Sequence, residues 1–493
     1  MPRYTIIVDR LSDWKGPAEG FNLISANAFL TNNTKDKRRP TRVINLCRRY
    51  EYLSAGYYCS LLAEARGQMP MPTVADVLSL QRKNLYDFAL PELNAILNRT
   101  IKRLIEPLTE TFSLTVFFGR PDNEHFKRLA SECFDTFRYP ILQLDIEPSN
   151  KHWEISAIRP LGLHHVPADV TPKFYDALQA YTRTRKELSG GRPPALYNLA
   201  ILMDPEEALP PSYMPTFNKF KRVGLGLRMD VELITKKDYR RLPEFDALFI
   251  RTNTSINHYT YQFSRKAEQE GLAVIDDPTS ILRCTNKVYL HELLQRHDLP
   301  TPKTRVLNRL DFGPDIVEQL EADLGYPIVL KIPDGSFSRG MHKAENREQL
   351  LEGGAALLKH SRLILAQEYV YTPYDWRVGV INGEPLFVCQ YMMSRNHWQI
   401  VNHSKDGTFK QGAWKTFAIE DAPADVVEIG CKAARLIGDG LYGVDLKQTD
   451  KGLMIIEVND NPSLETQVED KVLKDELYER ILKDFIRRIE THK

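Results

Sequence analysis

The chain has 493 residues, more than one ordinary hydrophobic core organises, and is therefore predicted to divide into about two to four domains. Its 66 basic and 65 acidic residues give a net charge of +1, which excludes a general electrostatic attraction to nucleic acid or to a membrane. The six cysteines are widely spaced, without a CxxC pair, and the N-terminus lacks a signal segment. No uncharged apolar stretch approaches the ~20 residues of a membrane span. These features together predict a cytoplasmic protein with reduced thiols.

Residues 1–190 are predicted to form an α/β domain. Apolar and β-branched runs indicate strands, and apolar residues at helical spacing indicate helices between them. The strands are Tyr4 to Val8, Arg42 to Leu46, Leu114 to Phe118 and Ile141 to Asp145, and the helices are Tyr57 to Ala65, Leu93 to Leu104 and Phe174 to Leu188. The sequence SGGRPP at Ser189 to Pro194 then predicts a linker.

A basic patch lies around the second of these strands. It consists of Lys35, Lys37, Arg38, Arg39, Arg42, Arg48 and Arg49. Such a patch could bind a polyanion, and it could equally be a solvated loop. The sequence leaves both interpretations open, and we do not expect nucleic acid to be the main partner.

Residues 195–280 show short apolar strands that alternate with polar segments of helical length. The strands are Ala195 to Met203, Val231 to Ile234, Ala247 to Ile250 and Leu272 to Ile275. This alternation predicts a small parallel sheet. Asn286 and Lys287 then begin a helix that runs to about Arg296 and is stopped by Pro300 and Pro302.

Two features could bind a nucleotide. The buried-type strand Tyr326 to Lys331 ends in a lysine and precedes the glycine-bounded loop Asp334 to Gly340, which could cradle phosphates, although a plain hairpin explains it as well. Farther along, the strand Leu363 to Val370 is interrupted by Gln367 and Glu368, which suit an adenine edge.

Asp375 and Arg377 follow on the next predicted strand. Polar groups at such a strand end suit an adenine edge and a ribose, and the fork of donors on Arg377 suits a carboxylate or a transferring phosphoryl group. An ordinary salt-bridged strand end is the alternative.

The most informative segment is a predicted hairpin near the C-terminus, formed by Gly443 to Leu446 and Ile456 to Asn459. A three-residue loop closed by Thr449 and Leu453, with Gly452 in the left-handed conformation, predicts the register. Its pairs are Leu446 with Ile456 and Asp445 with Glu457, with Asn459 on the same face.

Two ionised carboxylates about 5 Å apart in an apolar setting require a cation. An open trio of oxygen ligands from Asp445, Glu457 and Asn459 suits Mg²⁺ bound together with substrate phosphates. The alternative is a surface hairpin with scattered acids. Beyond the hairpin, Leu473, Leu477, Ile481, Phe485 and Ile489 form an apolar stripe that predicts a C-terminal helix packed on its own domain.

Taken in order, these motifs resemble the ATP-grasp superfamily, and within it the RimK type. The most specific matches are Gly443 to Leu446 and Glu457 to Pro462, and the resemblance extends from about residue 195 to the C-terminus. Residues 1–190 resemble the N-terminal domain of some RimK-like proteins. The implied fold class is α/β: an N-terminal α/β domain (1–190), a pre-ATP-grasp parallel-sheet domain (195–280) and an ATP-grasp fold (281–493), whose two α+β subdomains clasp ATP.

The resemblance also implies roles for individual residues. ATP would be bound by Lys287, Lys331, Ser336, Gly340, Glu368, Tyr369, Asp375 and Asn402; magnesium by Asp445, Glu457 and Asn459; and Arg377 and Arg395 would be catalytic. The family usually has Arg-Ser-Asn where this chain reads Trp398 to Asn402. Only Asn402 is carried over from that motif, and Arg395 is the candidate replacement for its arginine.

The implied activity is that of an ADP-forming carboxylate-amine ligase that uses ATP and Mg²⁺, with Mn²⁺ as an alternative metal. Its substrates would be a carboxylate and an amine, for example glutamate added to a peptide, a protein or a small acceptor. Two alternatives stay open: an ATP-grasp kinase that phosphorylates a small polyol or phosphate, and a nucleotide-binding adaptor without catalysis. A homo-oligomer is also left open.

Overall fold

The computed structural model describes residues 4–17, 20–31, 42–81, 86–87, 89–104, 108, 110–149, 152–182, 195–334, 340–393, 401–403 and 409–491, with the backbone alone at 401–403 and 409–411. Two compact units are present: residues 1–186 with 490–493, and residues 187–489. The predicted boundary near 280 falls inside the second unit, so the three predicted domains remain a prediction. None of the described helices is long and apolar enough to span a membrane.

The first unit contains two four-stranded sheets. The first is parallel, in the order β2-β1-β3-β4, with β1 (Tyr4–Val8), β2 (Phe21–Ser25), β3 (Arg42–Leu46) and β4 (Met69–Met71). The second is antiparallel, in the order β6-β5-β7-β8, with β5 (Phe112–Phe117), β6 (Arg120–Pro121), β7 (Ile141–Ser149) and β8 (His152–Pro160). All the predicted strands of this region are present, two of them with the predicted bounds.

The helices of the first unit cover these sheets. They are α1 (Ala26–Thr31), α2 (Ala55–Ala65), α3 (Val74–Ser79), α4 (Leu90–Ile101), α5 (Lys127–Thr136) and α6 (Thr171–Tyr181). Every residue of β1 and β3 is buried, as expected for central strands of a parallel sheet. The predicted helix from Phe174 corresponds to α6, and the predicted linker lies outside the described residues.

The second unit begins with the predicted parallel sheet, which is confirmed. Its order is β10-β9-β11-β12, with β9 (Tyr197–Leu202), β10 (Met229–Ile234), β11 (Ala247–Ile250) and β12 (Ala273–Ile275). The accompanying helices are α7 (Met214–Gly226), α8 (Tyr259–Gln269), α9 (Pro278–Thr285) and α10 (Lys287–Arg296). The side chain of Asn286 caps α10 by accepting from the backbone N–H groups of Val288 and Tyr289.

Two antiparallel sheets follow in the same unit. One has the order β13-β16-β14-β15, with β13 (Thr304–Asn308), β14 (Ile328–Lys331), β15 (Met341–Ala344), β16 (Leu363–Glu368), and helices α11 (Pro314–Leu324) and α12 (Arg347–Leu358). The other has the order β21-β18-β17-β22-β23, with β17 (Tyr374–Ile381), β18 (Glu384–Met392), β21 (Trp414–Phe417), β22 (Leu441–Thr449), β23 (Gly452–Asp460) and helix α13 (Ala424–Ile437). The short strands β19 (Val401–His403) and β20 (Phe409–Gln411) pair separately.

The C-terminal helix α14 (Asp475–Thr491) carries the predicted apolar stripe into the core. Leu477, Ile481 and Phe485 are fully buried in a cluster with residues of the parallel sheet and of β17, β18 and β22. The helix therefore packs within its own unit, as predicted.

Candidate active site

The centre of the site is a row of three charged side chains across three adjacent strands. Arg377 on β17 lies directly opposite Asp445 on β22, which lies directly opposite Glu457 on β23. Directly opposite residues share a face of a sheet. The residues on the other face, Val378, Val444 and Val458, are completely buried in the core, so the alternation of the strands points the charged row away from it.

The hairpin that carries the acids differs from its prediction in two places. The predicted three-residue loop is wrong, because Thr449 pairs with Gly452 and leaves two residues at the turn. The predicted pair of Leu446 with Ile456 is also wrong, because Leu446 pairs with Ile455 and a bulge follows. The bulge adds one residue to β23 and restores the predicted pair of Asp445 with Glu457.

Asp445 is held by a two-pronged ion pair. Arg377 donates from Nε to Oδ1 and from Nη2 to Oδ2, each at 2.7 Å. Burial raises the pKa of Asp445 above its ordinary value, while Arg377 acts in the opposite direction. Burial opposes the charge on Arg377 too, but Asp445 keeps the pKa of Arg377 above its ordinary value.

Glu457 pairs with a lysine from a different element. Lys287, the first residue of α10, places Nζ 2.9 Å from Oε1 of Glu457. The backbone N–H of Lys287 donates to the carbonyl of Pro333, which ties the helix start to the end of β14. Burial alone would raise the pKa of Glu457, but Lys287, helped by Lys331 and Arg377, lowers it below its ordinary value.

Lys331 ends its strand inside the unit and is only 7% exposed. Its Nζ donates to Oε1 of Gln367 at 2.7 Å, and Gln367 in turn donates to Thr304. Burial, together with the nearby positive charges of Lys287 and Lys447, lowers the pKa of Lys331 to about 8. A lysine in this setting is a compact positive charge whose orientation is set by a neutral partner.

Asp375 is engaged by Lys447, a residue that was not predicted for the site. Lys447 donates from Nζ to Oδ1 of Asp375 at 2.6 Å and to Thr372 at 2.8 Å. The sequence did contain a signal, because Lys447 follows Asp445 by two positions and therefore shares its face. Among the residues that the structure describes, the site thus brings together three acids and four cations: Asp375, Asp445, Glu457, Lys287, Lys331, Arg377 and Lys447.

A second group missed from the sequence lies behind Arg377. The guanidinium lies over the ring of Tyr391, 5.2 Å from its centroid, and the hydroxyl of Tyr391 donates to Glu469. Glu469 also accepts from the backbone N–H of Glu465 at 2.6 Å, and burial raises the pKa of Glu469 to about 7. These residues are 14 or more positions from Arg377 in the sequence, so no local pattern could indicate them.

The donor set at the acids suits a hard divalent cation. Asp445, Glu457 and Asn459 offer oxygen ligands of the kind that Mg²⁺ prefers. Asn459 lies beside Asp445, since its Nδ2 is 3.1 Å from Oδ2 of Asp445. Bound metal would share Asp445 with Arg377 and Glu457 with Lys287. Groups of three or more His, Cys, Asp or Glu side chains arranged for a metal do not occur among the described residues.

The other predicted binding residues either make contacts of their own or lie outside the part of the chain that the structure describes. Glu368 ends β16 and accepts from the backbone N–H of Lys303 at 2.7 Å, and Tyr369 packs against Lys343. Gly340 adopts a φ of +69° and its carbonyl accepts from the N–H of Ile332. Asn402 belongs to β19, where only the backbone is described, and Ser336 and Arg395 lie outside the described residues.

Two family descriptions match separate parts of the chain. Residues 26–177 match the RimK-like ATPgrasp N-terminal domain, and residues 284–483 match the RimK-like ATP-grasp domain. The alpha-aminoadipate–LysW ligase LysX of Saccharolobus solfataricus is 31% identical over 227 residues, which cover 45% of this chain and 77% of that relative. The chain belongs to the RimK-like ATP-grasp family.

Further relatives of this RimK-like chain are ligases as well. The ribosomal protein bS6–L-glutamate ligase of Escherichia coli K12 is 28% identical over 233 residues, 46% of this chain and 72% of that protein. Among solved structures, a D-alanine–D-alanine ligase from Bacillus anthracis matches 61% of this chain and 100% of its own at 14% identity and a TM-score of 0.47. A RimK domain protein from Sphaerobacter thermophilus matches 60% of this chain and 97% of its own, with 14% identity and a TM-score of 0.41.

The RimK-like chain is therefore an enzyme of the ATP-grasp class of carboxylate-amine ligases. Enzymes of this class use ATP and Mg²⁺ to form amide bonds.

Proposed function

We propose that this RimK-like ligase activates a carboxylate as an acyl phosphate and transfers it to an amine, adding an amino acid such as glutamate to a peptide, protein or small acceptor. The observation that supports this most is the aligned row of Arg377, Asp445 and Glu457, which faces Lys287 and lies within electrostatic reach of Lys331. The alpha-aminoadipate and L-glutamate ligases among the relatives support an amino acid as one substrate. A cytoplasmic location suits the six cysteines, all of which are buried and free.

Each residue has a defined task in this proposal. Lys287 and Lys331 bind the phosphates of ATP, and Gln367 fixes the direction of Lys331. Arg377 orients Asp445 and, from the same position, offsets charge that develops during phosphoryl transfer. Asp445, Glu457 and Asn459 hold magnesium, with manganese as a substitute; the bound ion would supply Lewis-acid stabilisation to phosphate oxygens. Glu368 and Tyr369 bind the adenine, and Asp375 the ribose side.

Isotope transfer tests the proposed acyl phosphate. Purified protein is incubated with ATP, Mg²⁺, amino-acid pools and acceptors, with the carboxylates of both the amino acids and the acceptors labelled with ¹⁸O, and both ADP and the labelled phosphate are measured. An acyl phosphate transfers one ¹⁸O from the carboxylate to the released phosphate, because the amine displaces phosphate together with that oxygen. Phosphate that stays on a product would instead identify a kinase, and no amino-acid-dependent ADP release with any acceptor would contradict the ligase.

The pH dependence of ATP use tests the role of Lys331. Because its pKa is lowered to about 8, Lys331 is charged below that pH and neutral above it. We expect kcat/KM for ATP to fall above pH 8 by about tenfold per pH unit, since only the charged form attracts phosphate. In Lys331→Arg the fall should disappear because arginine stays charged. A wild-type profile that is flat to pH 9.5, or a fall that persists in Lys331→Arg, would contradict this role.

A further inference from the structure

The first unit contains a polar cluster at a position where parallel sheets bind ligands. The chain leaves β1 toward β2 on one side and leaves β3 toward β4 on the other, so the carboxyl ends of β1 and β3 form a switch point in the order β2-β1-β3-β4. Open parallel sheets bind ligands in the crevice outside such a switch point. The residues that follow these two strand ends are Asp9 and the pair Arg48 and Arg49.

Ionic contacts join the two strand ends. The backbone N–H of Arg48 donates to Asp9, and the guanidinium of Arg48 donates to Asp13 at 2.9 and 2.6 Å. The side chain of Asp13 is 6% exposed and that of Arg48 is 35% exposed. Asp13 is therefore covered and holds the guanidinium of Arg48 in place, whereas Arg48 itself is partly exposed to solvent.

A third segment of the chain reaches the same place. His164 and His165 lie in the turn after β8, both are exposed, and their ring centroids are 3.7 Å apart. A Cβ at Gly162 would lie 3.0 Å from the Cα of Arg48, so this turn packs directly against Arg48. The exposed side of the cluster is thus formed by Arg48, Arg49 and two histidines.

The loop after Arg49 presents apolar side chains on a rigid support. Tyr52 and Leu53 are 59% and 56% exposed, and the rings of Tyr52 and Tyr57 are in edge contact at 5.1 Å. Leu53 has a φ of +67°, an unusual conformation for a bulky residue that surrounding structure must maintain. The support is visible, because Ser54 donates to the carbonyl of Arg49 and accepts from the N–H of Tyr57.

We propose that this switch-point surface, defined by Arg48, Arg49, His164, His165, Tyr52 and Leu53, binds an acidic peptide segment. Carboxylates of the peptide would pair with the arginines and accept hydrogen bonds from the histidine rings, and an apolar side chain would lie on Tyr52 and Leu53. We further infer that this peptide is part of the acceptor of the ligase, an identification that rests on the proposed function. The surface includes two residues of the basic patch, Arg48 and Arg49. From the sequence alone, that patch could either bind a polyanion or form a solvated loop.

Features of the same surface favour a peptide over single-stranded nucleic acid. The ring planes of Tyr52 and Tyr57 are inclined by 67° and those of Tyr57 and Tyr58 by 73°, so they form no parallel platform for successive bases.

Binding of a defined probe to the full-length protein tests the proposal. The probe is fluorescein-labelled poly(Glu,Tyr) random copolymer, measured by anisotropy without ATP, with poly(Lys,Tyr) and oligo-dT as comparisons. We expect poly(Glu,Tyr) to bind, and the double variant Arg49→Ala/Tyr52→Ala to weaken binding by at least about tenfold. The matched control is Arg103→Ala/Leu78→Ala, which removes an exposed arginine and an exposed apolar residue elsewhere in the unit and should not change binding.

Each outcome is decisive for the surface. Equal binding by the wild type and the double variant, absence of binding, or stronger binding of oligo-dT through the same two residues would overturn the proposal. His164→Gln, which keeps a polar exposed side chain, should weaken binding to a smaller extent and guards against misfolding of the double variant. Because ATP is omitted from the binding assay, absence of probe binding by the wild type speaks against the surface, whereas absence of ¹⁸O transfer speaks against the ligase.

Discussion

Replacing Glu457 with glutamine is expected to lower turnover on the order of 10³-fold while the protein stays folded. The substitution removes a charge that magnesium and Lys287 both use, and loss of about 4 kcal/mol of transition-state stabilisation corresponds to this factor. The side chain is 30% exposed, and glutamine keeps its shape and its ability to accept a hydrogen bond from Lys287. The effect should therefore appear in kcat, measured as amino-acid-dependent ADP release, more than in stability.

The hairpin offers its own control. Asp450→Asn removes an exposed carboxylate at the turn of the same ribbon and should leave turnover within about twofold of the wild type. If Glu457→Gln retained wild-type turnover, or if both variants lost it equally, the metal site would not lie where we place it. Raising the Mg²⁺ concentration should recover part of the activity of Glu457→Gln, since the remaining ligands bind the ion more weakly.

The acid pair shows how far the sequence predicts this site. Period-two alternation and the turn residues gave the correct partner for Asp445, although the loop is one residue shorter than predicted and a bulge adds the residue back. A bulge leaves no signal in the hydrophobic pattern, because a strand with one extra residue inside an apolar run cannot be told from a regular strand that is one residue longer. The pair was thus predicted correctly through two errors that cancel.

The remaining contacts depend on how separate sheets and helices meet. Lys287 reaches Glu457 from the first turn of α10, and Lys331 reaches Gln367 across two paired strands. The position of each lysine at the end of an element was visible in the sequence, whereas its partner was not. Tyr391 and Glu469 illustrate the same limit, since both look like ordinary residues until the fold places them beside Arg377.

Replacing Asp445 with asparagine is expected to abolish turnover and also to destabilise the second unit by about 3 kcal/mol. The reason is the largely buried guanidinium of Arg377, whose side chain is 18% exposed and whose two hydrogen bonds at 2.7 Å end on this carboxylate. Removal of one partner leaves an uncompensated buried charge, which is more costly than removal of both. Urea unfolding of the wild type, Asp445→Asn, Arg377→Met and the double variant measures this as a double-mutant cycle.

We expect the double variant to be more stable than the sum of the single losses predicts, by at least about 1 kcal/mol, because no lone charge remains. Additive losses would show that Arg377 and Asp445 act independently. Turnover should be absent in all three variants. The two measurements therefore report on two roles of Asp445: the unfolding cycle on its role as the partner of Arg377, and the turnover on its role as a metal ligand. A stable Asp445→Asn protein with normal turnover would remove both roles, since the same carboxylate oxygens serve the pair and the metal.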